Sequence, residues 1–112
     1  MRLRAIFLSL LLSVLCGQAS ADYPGDWSGF VTITTVSVGS TGEFIISAPN
    51  APNPGSCGGY YRVYLNQMGV SSTFGIEMLY RQAMTAVASD KQVSIFRSND
   101  SLCYVHSIEL KY

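Results

Sequence analysis

Charge is what this chain has least of. Only 12% of its 112 residues are Asp, Glu, Lys or Arg, seven basic against seven acidic, where ordinary soluble domains carry about 25%. The basic residues beyond the N-terminal segment, Arg62, Arg81, Lys91, Arg97 and Lys111, are dispersed. The electrostatic attraction that dominates nucleic-acid affinity is therefore missing, and a nucleic-acid partner is excluded. There is one histidine, His106, which cannot by itself build a metal site. The acids show no paired spacing, and neither a phosphate-cradling glycine loop nor a serine-nucleophile elbow is present. His106 falls on the apolar face of a strand, where an imidazole is a hydrogen-bonded packing residue more often than a general base. These absences argue against an enzyme and against a cofactor.

Long hydrophobic runs are equally scarce. The one that exists follows Arg2 and Arg4, extends from Ala5 to Leu15, and is succeeded by Ala19-Ser20-Ala21. Those are the three parts of a secretory signal peptide with an A-x-A cleavage site. The run is shorter than the about 20 apolar residues a membrane span needs, and no later segment qualifies. Leu15 stands where a lipoprotein signal wants a small residue, so Cys16 is not read as a lipid anchor. The expectation is cleavage after Ala21, with residues 1–21 the signal and residues 22–112 a single domain, secreted or periplasmic.

Cleavage removes Arg2, Arg4 and Cys16, leaving five basic residues against seven acidic ones and an even pair of cysteines. In an oxidising compartment Cys57 and Cys103 are expected to form a disulfide, which leaves no thiol nucleophile. A domain of this size buries only roughly 60–65% of its unfolded surface. That economy, with so little surface charge, implies contacts between subunits and hence a homo-oligomer.

Residues 28–38 are rich in β-branched side chains, and their alternation changes phase: Val31 and Ile33 share one face, Val36 and Val38 the other. A strand that swaps its buried face midway needs a bulge or bend, as when one strand serves two faces of a barrel. Residues 39–42 form a turn, and residues 43–48 return as a hairpin strand with Phe44, Ile46 and Ala48 on one face. Residues 49–56 are too proline-rich to enter a ladder. Residues 60–66 predict a third strand with Tyr61, Val63 and Leu65 opposite Tyr60, Arg62 and Tyr64.

From Ile76 the period becomes helical, with Ile76, Leu79, Tyr80, Ala83, Met84 and Val87 on one face and Ser72 or Thr73 as the cap. The other face, Glu77, Arg81, Gln82, Thr85 and Ala88, is short-chained and lightly charged. Residues 92–97 predict a fourth strand with Val93 and Ile95 inward. Residues 102–112 predict a fifth, with Tyr104, His106, Ile108, Leu110 and Tyr112 on one face and Ser107, Glu109 and Lys111 on the other. The fold class is mainly β with one helix, in the order β-β-β-α-β-β, that of the five-stranded Greek-key barrel called the OB-fold. An open α+β sheet with the helix on one face is the alternative.

Aromatic residues are the abundant resource: seven Tyr, five Phe and one Trp in the whole chain, most of them beyond the signal segment and beside many Ser, Thr and Asn. Flat apolar rings next to neutral hydroxyls and amides suit carbohydrate, whose C–H faces stack and whose hydroxyls need fixed partners.

Two stretches carry a resemblance. Asp26-Trp27-Ser28-Gly29-Phe30-Val31-Thr32-Ile33-Thr34 is similar to a Ser-Gly-Val-Val-Ile-Thr segment, and Leu79-Tyr80-Arg81-Gln82-Ala83 with Lys91-Gln92-Val93-Ser94-Ile95 is similar to a Leu-Tyr-x-Gln-Ala helix leading into a Val-x-Ile strand. Both segments belong to the receptor-binding B subunits of five-B-subunit bacterial toxins, closest to the subtilase cytotoxin and typhoid toxin branch. The resemblance implies an OB-fold protomer, a ring of five, an A-type subunit as a possible partner, and recognition of cell-surface glycans. It implies glycan contact by Ser28, with Asp26 as a further candidate; Arg97 stands near the place of a tyrosine in that branch. The functional expectation is a secreted bacterial glycan-binding module, the alternative an exported structural or inhibitory protein that binds another protein.

Overall fold

The β-rich segment at residues 28–38 does not form one strand but is shared between two sheets. In the computed structural model, which describes residues 24–112, β1 (Gly25–Trp27) and β2 (Thr35–Val38) are its two ends. They are followed by β3 (Phe44–Ser47), β4 (Tyr60–Val63), α1 (Thr73–Ala88), β5 (Val93–Ser98) and β6 (Val105–Leu110). The expected signal segment, residues 1–21, and its expected cleavage site lie outside the described residues. No described helix is long and apolar enough to cross a membrane.

Strands β1, β5 and β6 make one three-stranded sheet and β2, β3 and β4 the other, and every ladder is antiparallel. The chain is mainly β with a single helix among the described residues, and its ladders form two sheets instead of running on into one closed barrel. Between β1 and β2 the backbone still touches both sheets: the amides of Val31 and Val93 donate to each other's carbonyls at 2.8 and 2.9 Å, and the Thr34 amide then donates to Ser47 at 2.8 Å. The phase change falls at this crossing. Val31 and Ile33 are buried, Thr34 and Thr35 are both exposed, and Val36 packs on the core. A second link joins the sheets at their other side, where Arg62 and Tyr104 form a parallel bridge and the Arg62 amide donates to the Cys103 carbonyl at 2.9 Å.

The core lies between the sheets and the helix. Phe44, Ile46, Tyr61, Val63, Val93, Ile95 and Val105 supply it, with Ala83 and Ala86 from α1. Ser72 caps the helix by accepting from the Gly75 amide at 3.1 Å. Tyr80 meets Phe44 edge-on, ring centroids 5.5 Å apart. The buried helical stripe is Ile76, Ala83 and Ala86, so the expected Val87 is displaced: it lies exposed in the last turn while the smaller Ala86 faces in. The packed side of the helix thus includes two small residues, Ala83 and Ala86.

The last strand also departs from simple alternation. Phe96 pairs with Ser107 and Arg97 with Val105, so His106 is an extra residue, a β-bulge. Val105 is buried before the bulge and Leu110 after it, while Tyr104 and His106 are only half-buried. The expected face of Tyr104, His106, Ile108 and Leu110 is thereby split, because one inserted residue reverses the phase.

Cys57 and Cys103 form the expected disulfide, Cα atoms 5.6 Å apart. It ties the proline-rich loop before β4 to the turn before β6.

Candidate functional site

Successive side chains on a strand leave on opposite sides, and Asp26 and Trp27 are neighbours on β1. Asp26 pairs in register with Arg97, and Trp27 pairs with Phe96. Val93 and Ile95 point inward, which turns Phe96 to the outer surface of its sheet. There Trp27 and Phe96 meet with ring centroids 5.3 Å apart and planes tilted by 58°. Phe96 in turn receives the edge of His106, centroids 5.9 Å apart at 87°. The bulge places the imidazole on this outer face, and its Nδ1 lies 2.6 Å from the Ser107 hydroxyl. Three rings from three adjacent strands thus make a continuous aromatic surface with a hydroxyl at its border. Trp27 is 43% exposed, unusual for the largest apolar side chain, which ordinarily is mostly covered.

Just before β6, Tyr104 meets Tyr64 with centroids 5.7 Å apart. Arg62, opposite Tyr104, donates through Nη1 to the Leu102 carbonyl at 2.7 Å.

Ser28 lies under this surface, not on it. It is wholly buried at 0% exposure. Its hydroxyl donates to the Gly29 carbonyl at 2.8 Å and accepts from the Ile95 amide at 2.9 Å, while its own amide donates to the Ile95 carbonyl at 2.8 Å. The side chain therefore acts as a strand acceptor where the β1–β5 ladder breaks off. Asp26 is exposed, on the other side of β1 from Trp27. The structure brings Ser28 and Asp26 to Trp27 as chain neighbours only, and leaves Trp27 as the member of the trio that presents a face to solvent beside Phe96.

The rim is set by the loop at residues 49–56. Asn53 Nδ2 donates to the Trp27 carbonyl at 2.9 Å, and the Asn53 amide donates to the Ser28 carbonyl at 2.8 Å. Gly29 adopts φ +75°, and a Cβ there would stand 3.0 Å from the Pro52 ring, so the Ser-Gly pair admits this loop only because residue 29 is glycine.

The partners of Trp27 were within reach of sequence reasoning. Inward Val93 and Ile95 fix Phe96 outward by alternation alone, but the His106 bulge carries no sequence mark, and simple alternation puts its ring on the apolar face.

Within the turn before β6, the exposed Asp100 carboxylate accepts from the Ser98 hydroxyl at 2.8 Å and from the Cys103 and Leu102 amides at 3.0 and 3.1 Å. These bonds, the Ser98 hydroxyl first, hold its pKa below the ordinary carboxylate value. Among the described residues no group of His, Cys, Asp and Glu is arranged to hold a metal ion.

A second feature lies at the helix N-terminus. A groove of about 210 Å³ is lined by Val38, Thr41, Gly42, Ile76, Glu77 and Tyr80, and the first two turns of α1 expose Phe74 (68%) and Met78.

Compared with known proteins, the chain matches no protein-family description, no curated protein and no solved structure.

Proposed function

We propose that the mature chain is a secreted, non-catalytic carbohydrate-recognition module of the toxin B-subunit kind, which binds a cell-surface glycan on the Trp27–Phe96–His106 surface. The observation that carries this reading is the exposed tryptophan held 5.3 Å from Phe96 on a rigid ladder. Such a platform stacks the apolar face of a pyranose, while Ser107 and Asn53 stand near it as neutral hydrogen-bonding groups. A fixed aromatic pair loses little side-chain entropy on binding, which favours recognition of a weakly hydrophobic ligand.

The same proposal takes the architecture as a five-stranded Greek-key barrel in which the segment from β1 to β2 is the shared first strand. Its support is the pair of links between the sheets, Val31 with Val93 and the parallel Arg62–Tyr104 bridge. On this reading the protomers assemble, as a pentamer if the toxin-like resemblance extends to assembly, with an A-type subunit as a further partner. The low charge of the chain and the exposed Val38, Phe74 and Met78 support burial between subunits.

The test is a glycan array probed with the mature, oxidised protein and with Trp27→Ala. Retention of defined glycans by the parent and its loss in the variant is the expected result; retention unchanged in Trp27→Ala removes the site. The second reading, an exported protein that binds another protein, rests on the apolar groove at the start of α1 and on the exposed Phe74 and Met78 of the same helix. It is favoured if the array is empty and a Phe74→Glu change abolishes capture of a protein from the surrounding medium.

A further inference from the structure

The outer face of the β2–β3–β4 sheet carries an open cavity lined by one carboxylate and by no basic side chain. Phe44 and Ile46 are buried, so the pleat turns Glu43 and Ile45 outward. Ser37 stands opposite Ile45 in the β2–β3 ladder, and the Gly39 amide donates to the Glu43 carbonyl at 2.8 Å, which sets Gly39 opposite Glu43. On the other side Phe44 pairs with Val63, and the same register carries Tyr64 alongside Glu43. Because residue 39 has no side chain, this row is left hollow. The hollow measures about 340 Å³ and is lined in part by Ser37, Gly39, Thr41, Glu43, Ile45 and Tyr64, within the roughly 300–1,000 Å³ of small-molecule sites.

Neutral groups alone hold the Glu43 carboxylate in place. Its Oε2 accepts from the Leu65 amide at 2.7 Å and its Oε1 from the Thr41 hydroxyl at 3.1 Å. The one ion pair among the described residues joins Glu77 and Arg81 on the helix surface. Arg62, opposite Ile45 in the ladder, directs its Nη1 to the Leu102 carbonyl at 2.7 Å instead. Glu43 is only half-buried, and each oxygen of an ionised carboxylate can accept more than one donor. A fixed negative charge beside an aromatic ring draws a cation twice over, by Coulomb attraction and through the negative face of the ring.

We infer that this cavity is a binding site for a small organic primary ammonium. Its three N–H donors match the oxygens that line the cavity, those of the Glu43 carboxylate and of the Ser37 and Thr41 hydroxyls, and its alkyl part lies on Ile45 and the Tyr64 ring. A quaternary ammonium fits less well: it donates no hydrogen bond, and it meets a single ring where an aromatic cage supplies several. The site is on the other sheet from Trp27 and Phe96, so it stands or falls independently of the glycan reading.

The test is saturation-transfer difference NMR of the mature, oxidised protein at pH 7 with n-butylammonium, and with choline as the quaternary comparison. Butylammonium is expected to saturate in the millimolar range, and choline to bind at least about tenfold more weakly, the loss expected for hydrogen bonds to a charged group. Glu43→Gln keeps an oxygen for the Leu65 amide while removing the charge, and is expected to weaken butylammonium roughly 10–100-fold. Gly39→Leu leaves Glu43 as it is. Gly39 has no positive φ, and apart from its chain neighbours a Cβ there meets only the Glu43 carbonyl oxygen, at 3.4 Å. The leucine fills the hollow and is expected to abolish the signal. No saturable butylammonium binding, choline binding of equal strength, or undiminished binding in either variant overturns the site, and Gly39→Leu decides the matter even if Glu43→Gln does not fold.

Discussion

Trp27 and Phe96 face each other across the β1–β5 ladder with ring centroids 5.3 Å apart, and Trp27 remains 43% exposed. Cross-strand aromatic pairs contribute roughly 0.5–1.5 kcal/mol beyond their buried area. Replacing Trp27 by Ala is therefore expected to lower stability by about 1–2 kcal/mol, within what a small domain withstands. Glycan retention is expected to fall much more steeply than urea-unfolding stability. Equal proportional loss of both would show that Trp27 is a packing residue.

Ser28→Ala tests a different role. The change strands the buried Ile95 amide that the Ser28 hydroxyl accepts at 2.9 Å, and an unsatisfied buried donor costs about 1–3 kcal/mol. Chemical denaturation of the variant is expected to show that loss, with glycan affinity of the folded fraction nearly unchanged. A variant of parental stability with abolished binding would return Ser28 to the ligand.

The disulfide closes a separation of 46 residues, for which the chain-entropy account gives about 4 kcal/mol. That is a large part of the stability of a domain this small. Reduction, or Cys57→Ser with Cys103→Ser, is expected to unfold most of the protein near body temperature, followed by far-UV circular dichroism. A reduced form that melts within a few degrees of the oxidised one would contradict this.

Acid should act through Asp100. Its pKa is held down in the folded state, chiefly by the Ser98 hydroxyl, so the folded protein binds the proton less readily than the unfolded chain. The stability this supplies is present above the unfolded carboxylate value of 3.8 and is lost as the pH falls through the lower folded value. Asp100 is exposed, so the gain is modest. Asp100→Asn is expected to flatten the acid limb of Tm against pH; an unchanged limb would assign acid sensitivity elsewhere.

Much of this architecture was legible in residue patterns. Phe44, Ile46 and Ala48, Val93 and Ile95, and the Ser72-capped helix announced themselves by strict alternation or helical period, and the two cysteines beyond the N-terminal apolar run form the bridge their even count implied. The change of phase between Ile33 and Val36 marked the place where the chain leaves one sheet for the other. What failed to show was non-local. The bulge at His106 depends on how β5 and β6 are brought into register, and the shift of the buried helical stripe to Ala86 depends on how closely α1 lies against β6.

The site was legible only in part. Trp27, Asp26 and Ser28 stood out as a segment, but the roles divide between them. The interruption of the ladder buries the Ser28 hydroxyl, the strand's pleat turns Asp26 away, and Trp27 alone acquires Phe96. Arg97 gave no sign in the sequence of being interior, since its burial comes from the disulfide-tethered loop folding over β5.

Because Trp27 is the chain's one tryptophan, its fluorescence reports on the proposed surface without a label. Titrating the mature, oxidised protein with a glycan retained on the array is predicted to shift the emission and to protect Trp27 from acrylamide quenching, saturably and at the concentrations at which binding occurs. A glycan that binds while the emission and the quenching stay as they were would place recognition elsewhere and contradict the account.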